Sequence, residues 1–154
     1  MLRISEVMGL PIPPLDEVLT FTVEGKPIGK GRPRITRNGA YTPKKTREYE
    51  KLIAWTFRRR YPRFKPCKGP VLMAVIAYFP IPRNTTKKLR EKMEREEVFR
   101  IKKPDWDNIG KIVCDALNGI AWEDDNQVMG FVLKFYSPRP RIEVMIWEVM
   151  ADGV

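Results

Sequence analysis

Nine consecutive residues, Val71 to Phe79 (VLMAVIAYF), are apolar without a break. The run has the length of a strand and falls far short of the 18 or more apolar residues that a membrane span requires. A strand that is apolar on every residue cannot turn one side to water. It must be central, with both faces covered. The rest of the chain therefore has to supply neighbouring strands and packing helices.

Those elements are visible around it. Leu19, Phe21 and Val23 alternate with Thr20, Thr22 and Glu24, the pattern of a strand. The next stretch, GKPIGKGRPRITRNGAYTPKK, is broken by Gly and Pro and reads as a loop or irregular hairpin. Thr42 and Pro43 have the form of an N-cap and a first helical residue. The helix they open carries Tyr49, Leu52, Ile53, Thr56 and Phe57 along one side and ends near Tyr61. The segment 82–100 is a charged insert, either a helix held partly by charge pairs or a mobile excursion. Asp107 to Gly119 is a further helix. Two alternating strands, around 129–136 and 142–147, are joined by SPRPR and predict a C-terminal hairpin. The Pro-rich residues 1–17 read as an arm or covering loop. The expected fold is a single compact α+β domain, with a mixed sheet of about four strands and helices on one or both faces.

The chain of 154 residues carries 29 Lys and Arg against 19 Asp and Glu, a net charge of +10. A balance of that sign favours an anionic partner, nucleic acid first and a membrane surface second. From Lys26 to Lys68 fifteen cations face only Glu48 and Glu50, a local balance of +13 that exceeds the whole chain's +10. Lys30, Arg32, Arg34, Arg37, Lys44 and Lys45 are the candidate DNA contacts, because Gly and Pro between the cations let backbone approach phosphate closely. Tyr41, Trp55, Trp106 and Trp122 could stack on bases; for Trp55 core packing is the favoured alternative. Cys67 and Cys114 lack metal or CxxC spacing and read as reduced packing residues of a cytoplasmic protein. The N-terminus has too short an apolar core for a signal peptide.

The chain has no histidine. Ser-His and Cys-His catalysis, His-ligated zinc and an imidazole base are thereby excluded. Any chemistry must come from carboxylates, lysines or a metal. Against this basic background KPDWDNIGKIVCDALNGIAWEDDNQV concentrates Asp105, Asp107, Asp115, Glu123, Asp124 and Asp125. Ile109, Ile112, Val113, Ala116 and Leu117 form the buried stripe of the helix. Asp107, Lys111 and Asp115 stack on its other side. Asp105 and Asp107 can project together at the helix start. Asp124 and Asp125 join them only if the chain folds back antiparallel along the helix. Were they to meet, like charges about 4 Å apart would repel by about 4 kcal/mol per pair at an effective dielectric of about 20. A bound divalent cation would relieve that repulsion. Oxygen-only ligands favour Mg²⁺, with Mn²⁺ as a substitute. Such a metal beside a basic surface suits phosphodiester hydrolysis, with Lys111 at the scissile phosphate or leaving oxygen. Read singly, Asp107 is only an N-cap and EDDN only a polar turn. On that alternative the protein is a non-catalytic nucleic-acid binder. A metal nuclease acting on other branched DNA or on RNA is a third possibility.

The same residues resemble the signature of the RusA family of Holliday junction resolvases. The likeness lies in Asp105-x-Asp107-Asn108, Lys111, Asp115-Ala116-Leu117 and Asp124-Asp125-x-Gln127-Val128. The upstream GKPIGKGRPR…YTPKKTREYEKLI is also similar. The resemblance leaves residues before Leu19 and the insert 82–100 uncovered. It implies a homodimeric Mg²⁺-dependent endonuclease that nicks four-way junction DNA symmetrically, in recombination and repair. By position it implies Asp105, Asp107 and Asp125 as metal-binding catalytic carboxylates, Asp124 as a supporting fourth, and Lys111 as the catalytic lysine.

Overall fold

A computed structural model describes residues 18–149. The N-terminal arm expected at 1–17 lies outside the described residues. In chain order the elements are β1 (Leu19–Glu24), β2 (Arg34–Thr36), β3 (Gly39–Tyr41), α1 (Lys44–Arg60), β4 (Val71–Pro80), α2 (Lys87–Glu94), α3 (Trp106–Leu117), β5 (Val128–Ser137) and β6 (Arg141–Glu148). A single 3₁₀ turn, Asp125–Gln127, precedes β5. The α+β class and the mixed four-stranded sheet follow the expectation.

The sheet order is β1-β6-β4-β5, with β4 paired parallel to β5 and antiparallel to β6. The apolar run of β4 is thus internal. The expected C-terminal hairpin does not form, because β4 lies between its two strands. Ser137 aligns with Pro80 and Arg141 with Tyr78, so the loop between β5 and β6 passes around the end of β4. Strands two places apart are about 10 Å from each other. The four Cα steps from Ser137 to Arg141 reach up to about 14 Å, so the short SPRPR linker suffices. Direct pairing of β5 with β6 would have left β4 with an unpaired edge.

Alternation along β4 divides the interior. Val71, Met73, Val75, Ala77 and Phe79 face the helices, where they meet Ile53 and Phe57 of α1 and Ile109, Ile112, Val113 and Leu117 of α3. Leu72 and Ala74 face the opposite side and pack with Trp147, Phe131 and Met145. Helix α1 buries Thr46, Tyr49, Ile53 and Phe57, the i, i+3, i+4 stripe expected, whereas Leu52 is exposed. Its N-cap is Pro43, one residue later than the sequence suggested, and no side chain caps it.

The insert 82–100 is ordered around α2. Thr86 Oγ1 accepts the Leu89 amide at 3.3 Å as its cap, and Met93 is buried in the helix-side core. Tyr78 donates its hydroxyl to Glu96 at 2.8 Å from the sheet. The stretch expected to be a loop or irregular hairpin contains a short antiparallel ribbon, β2 with β3, all of whose residues are exposed.

Candidate active site

Helix α3 carries the acidic signature. Its apolar stripe Ile109, Ile112, Val113, Ala116 and Leu117 is buried, which turns Asp107, Lys111 and Asp115 to the exposed side. Asp105 occupies the N-cap position in extended backbone, yet its carboxylate makes no capping hydrogen bond. Asp107 sits in the first turn, where the helix dipole favours negative charge. Both are exposed, and among the described residues neither forms an ion pair. Two exposed carboxylates thus stand two residues apart at the helix start, without a salt bridge among the described residues.

The far end of α3 is built differently. Gly119, at φ +74°, reverses the chain in a left-handed conformation that L side chains rarely adopt. The amides of Ile120 and Ala121 both donate to Leu117 O at 2.9 Å. Trp122 then enters the core completely, and its indole N–H donates to Asp125 Oδ1 at 2.8 Å. Main-chain bonds from Cys67 N to Ala121 O and from Glu123 N to Cys67 O pin the turn to the segment before β4. Gln127 accepts the Asp124 amide and donates to Cys67 O and Gly69 O.

This packing corrects the expected fold-back. The turn holds Asp124 and Asp125 at the C-terminal end of α3, where the negative charges near Asp125 are Asp115 and Asp124. Asp107 and Asp115 are eight residues apart, about 12 Å along a helix. What does fold back antiparallel along α3 is β5. A Cβ on Gly110 would lie 3.5 Å from Val132, and Lys134 reaches the segment before Asp105. The strand thus delivers Lys134, and no aspartate, to the helix start. Among the described residues no three acidic or thiol side chains converge to hold a metal ion.

Burial pushes the Asp125 carboxyl above its ordinary value; Asp115 and Asp124 add to the rise, and the Trp122 hydrogen bond opposes it. Burial, with the charges of Asp125 and Asp115, pushes the neighbouring Cys114 thiol up to about 12. Cys114 is accordingly an inert thiol.

The basic loop docks on the same helix. The amide of Lys30 donates to Asn108 O at 2.8 Å, and Gly31 N to Thr46 Oγ1 at 3.2 Å. Gly29 lies so close to the segment before Asp105 that a Cβ would stand 2.6 Å from Pro104 Cβ, hence the glycine. Lys30, expected to face DNA, instead directs its ammonium to Asp115 Oδ2 at 2.8 Å and to Glu50. It ties the loop to α1 and α3. Arg32, Arg34, Arg37, Lys44 and Lys45 are exposed.

The aromatic expectations divide. Trp122 is buried and cannot stack on a base. Trp55 is exposed, against the core packing expected, and Arg59 lies over its ring. Trp106, between Asp105 and Asp107, is 61% exposed, and Tyr41 is also exposed.

Sequence reasoning passed over Lys134 and Arg100. Lys134 donates to Lys102 O at 2.8 Å and to Pro104 O at 2.9 Å. Arg100 Nη1 donates to Lys103 O at 2.6 Å, with its guanidinium over the Phe79 ring. The available signal was a lone cation within the otherwise apolar run FVLKF.

Among the described residues no helix is long and apolar enough to cross a membrane. The family model for endodeoxyribonuclease RusA matches residues 24–147, a span that runs through the insert 82–100. The uncharacterized protein YqaN of Bacillus subtilis (strain 168) is 41% identical over 142 residues, covering 88% of this chain and 99% of that protein. The chain belongs to the RusA endodeoxyribonuclease family.

Proposed function

We propose that this chain is a Mg²⁺-dependent, structure-selective endonuclease that resolves four-way DNA junctions by paired symmetric nicks, acting as a homodimer. The observation that carries the reading is the pair Asp105 and Asp107. Both carboxylates are exposed and, among the described residues, without an ion pair at the start of α3, beside a loop of exposed cations, in a family of endodeoxyribonucleases.

The pair suits an oxygen-ligated divalent ion and would supply part of its coordination. A metal held there would activate water and offset the negative charge on the phosphoryl oxygens of the transition state. Lys111, exposed one turn beyond Asp107, is positioned to contact the scissile phosphate or the leaving oxygen. Arg32, Arg34, Arg37, Lys44 and Lys45 bind phosphates and set the register of the DNA without reading sequence.

Asp124 and Asp125 belong to the proposed ligand set but lie toward the other end of α3. The homodimer follows from the substrate: the two-fold symmetry of a four-way junction asks for two related sites.

The test is cleavage of a synthetic four-way junction against duplex, flap and RNA substrates, with and without Mg²⁺, together with sedimentation. Paired Mg²⁺-dependent cuts in the junction by a dimer are expected. Junction binding without metal-dependent cleavage would replace this reading with a non-catalytic binder. Preferential cleavage of flaps or RNA would replace the substrate.

A further inference from the structure

The segment Lys102–Pro104 enters Asp105 through three main-chain carbonyls, and two cations hold all three. Lys134 Nζ donates to Lys102 O at 2.8 Å and to Pro104 O at 2.9 Å. Arg100 Nη1 donates to Lys103 O at 2.6 Å and lies 3.4 Å from Lys102 O. The cations are themselves joined, because the Arg100 amide donates to Lys134 O at 2.9 Å. The Arg100 guanidinium is further fixed 3.8 Å from the centroid of the Phe79 ring. Gly29 also packs against Pro104.

Solvation alone does not call for this arrangement. Lys102 and Lys103 are exposed, so water could serve their carbonyls. Lys134 instead gives up hydration to reach them. Burial and the charge of Arg100 pull its pKa below 10.5, and only Asp105 pulls the other way. Charged donors make the strongest hydrogen bonds to main-chain oxygen and fix geometry most tightly. What they fix here is the backbone that aims Asp105 and, through the first turn of α3, Asp107.

We infer that Lys134, supported by Arg100, is a positioning residue that sets the Asp105-Trp106-Asp107 turn by holding the carbonyls before it. The proposal deepens the nuclease reading and rests on it for its metal and cleavage readouts, but not for its backbone readout. Lys134 touches no reacting atom. It acts as outer-shell partners of metal ligands do, through the orientation of the residues that bind.

The test compares Lys134→Met, which keeps most of the stem and removes the ammonium, with Lys134→Arg, which restores charged donors. Three readouts are taken on the full chain: amide hydrogen exchange at residues 109–111, Mn²⁺ binding by electron paramagnetic resonance, and junction cleavage with kcat and KM separated. For Lys134→Met the account expects exchange to quicken at 109–111, whose amides close the first turn onto residues 105–107 (Ile109 N donates to Asp105 O at 3.2 Å), while the rest of α3 stays protected. It also expects Mn²⁺ affinity to fall about 10–100-fold. The loss of cleavage should lie in kcat with KM for the junction held, and Lys134→Arg should recover part of it. If Lys134→Met does not fold, Lys134→Gln is judged by the same readouts. Wild-type exchange at 109–111 together with wild-type Mn²⁺ affinity would overturn the inference. A wild-type protein that binds no Mn²⁺ and cuts no junction would instead overturn the nuclease reading, leaving hydrogen exchange to decide the role of Lys134.

Discussion

The Lys30 ammonium lies 2.8 Å from Asp115 Oδ2 and pairs also with Glu50, which joins the basic loop to α1 and α3 through one cation. Lys30→Met would leave two carboxylates facing each other, partly buried and unpaired. The pair is partly solvated, so the expected loss is about 1–2 kcal/mol, less than for a fully buried pair. That corresponds to roughly 2–8 °C in Tm for a domain of this size. Because Lys30 is engaged within the protein, junction affinity and its salt dependence should stay near wild type. Burial lowers the Lys30 pKa, but the hydrogen bonds and charges of Asp115 and Glu50 outweigh it, and the pKa ends above 10.5. The stability from this pair is therefore fully present below pH 10.5 and lost as pH rises through the raised value. Thermal melts of both proteins from neutral to alkaline pH check this: the Tm gap should close only at the alkaline end.

Asp125 has the opposite sign. Burial first, and then Asp115 and Asp124, raise its pKa above 3.8 in the folded state. Its ionised form thus costs the fold stability at neutral pH, and the cost disappears as pH falls below the ordinary value. Asp125→Asn should raise Tm at neutral pH while abolishing cleavage, with the gain vanishing in melts near pH 3. A lower Tm at neutral pH would show that the carboxylate is structural.

The exposed cations of the ribbon should act uniformly on DNA. Arg34→Gln and Arg37→Gln are expected to weaken junction binding regardless of its sequence. Each should flatten the slope of log K against log salt by about 0.9 for every phosphate that is no longer neutralised. Titrations at several salt concentrations measure it, and an unchanged slope would remove β2 and β3 from the DNA surface.

Trp106 stands exposed between Asp105 and Asp107. Trp106→Ala should change stability by no more than about 0.5 kcal/mol. If the ring stacks on a base at the cut site, junction affinity should drop by about 1–3 kcal/mol. Chemical denaturation and junction binding separate the two effects.

Much of this architecture was legible in periodicity. The apolar run of β4, the alternation of β1 and β6 and the stripe of α3 each state which way the side chains point, and the structure follows them. Pairing was less legible. Residues 129–147 look like a hairpin because strand order is decided by what fills the middle of the sheet, and the need of β4 for two neighbours is not local to that stretch. The acids illustrate the same limit. Their positions on α3 followed from helical spacing, but the end at which Asp124 and Asp125 lie depends on Trp122. Its burial and its bond to Asp125 are tertiary facts. Lys134 escaped notice because one cation in a strand carries no pattern, and only the fold shows the carbonyls it meets.

The central claim is that Asp105 and Asp107 serve metal-dependent phosphodiester cleavage. The most direct test is cleavage of a synthetic four-way junction with and without Mg²⁺, run with Asp107→Asn alongside wild type. The account predicts paired Mg²⁺-dependent nicks by wild type, and an Asp107→Asn variant that binds the junction at least as tightly but does not cut it. Full-rate cleavage by Asp107→Asn would contradict it.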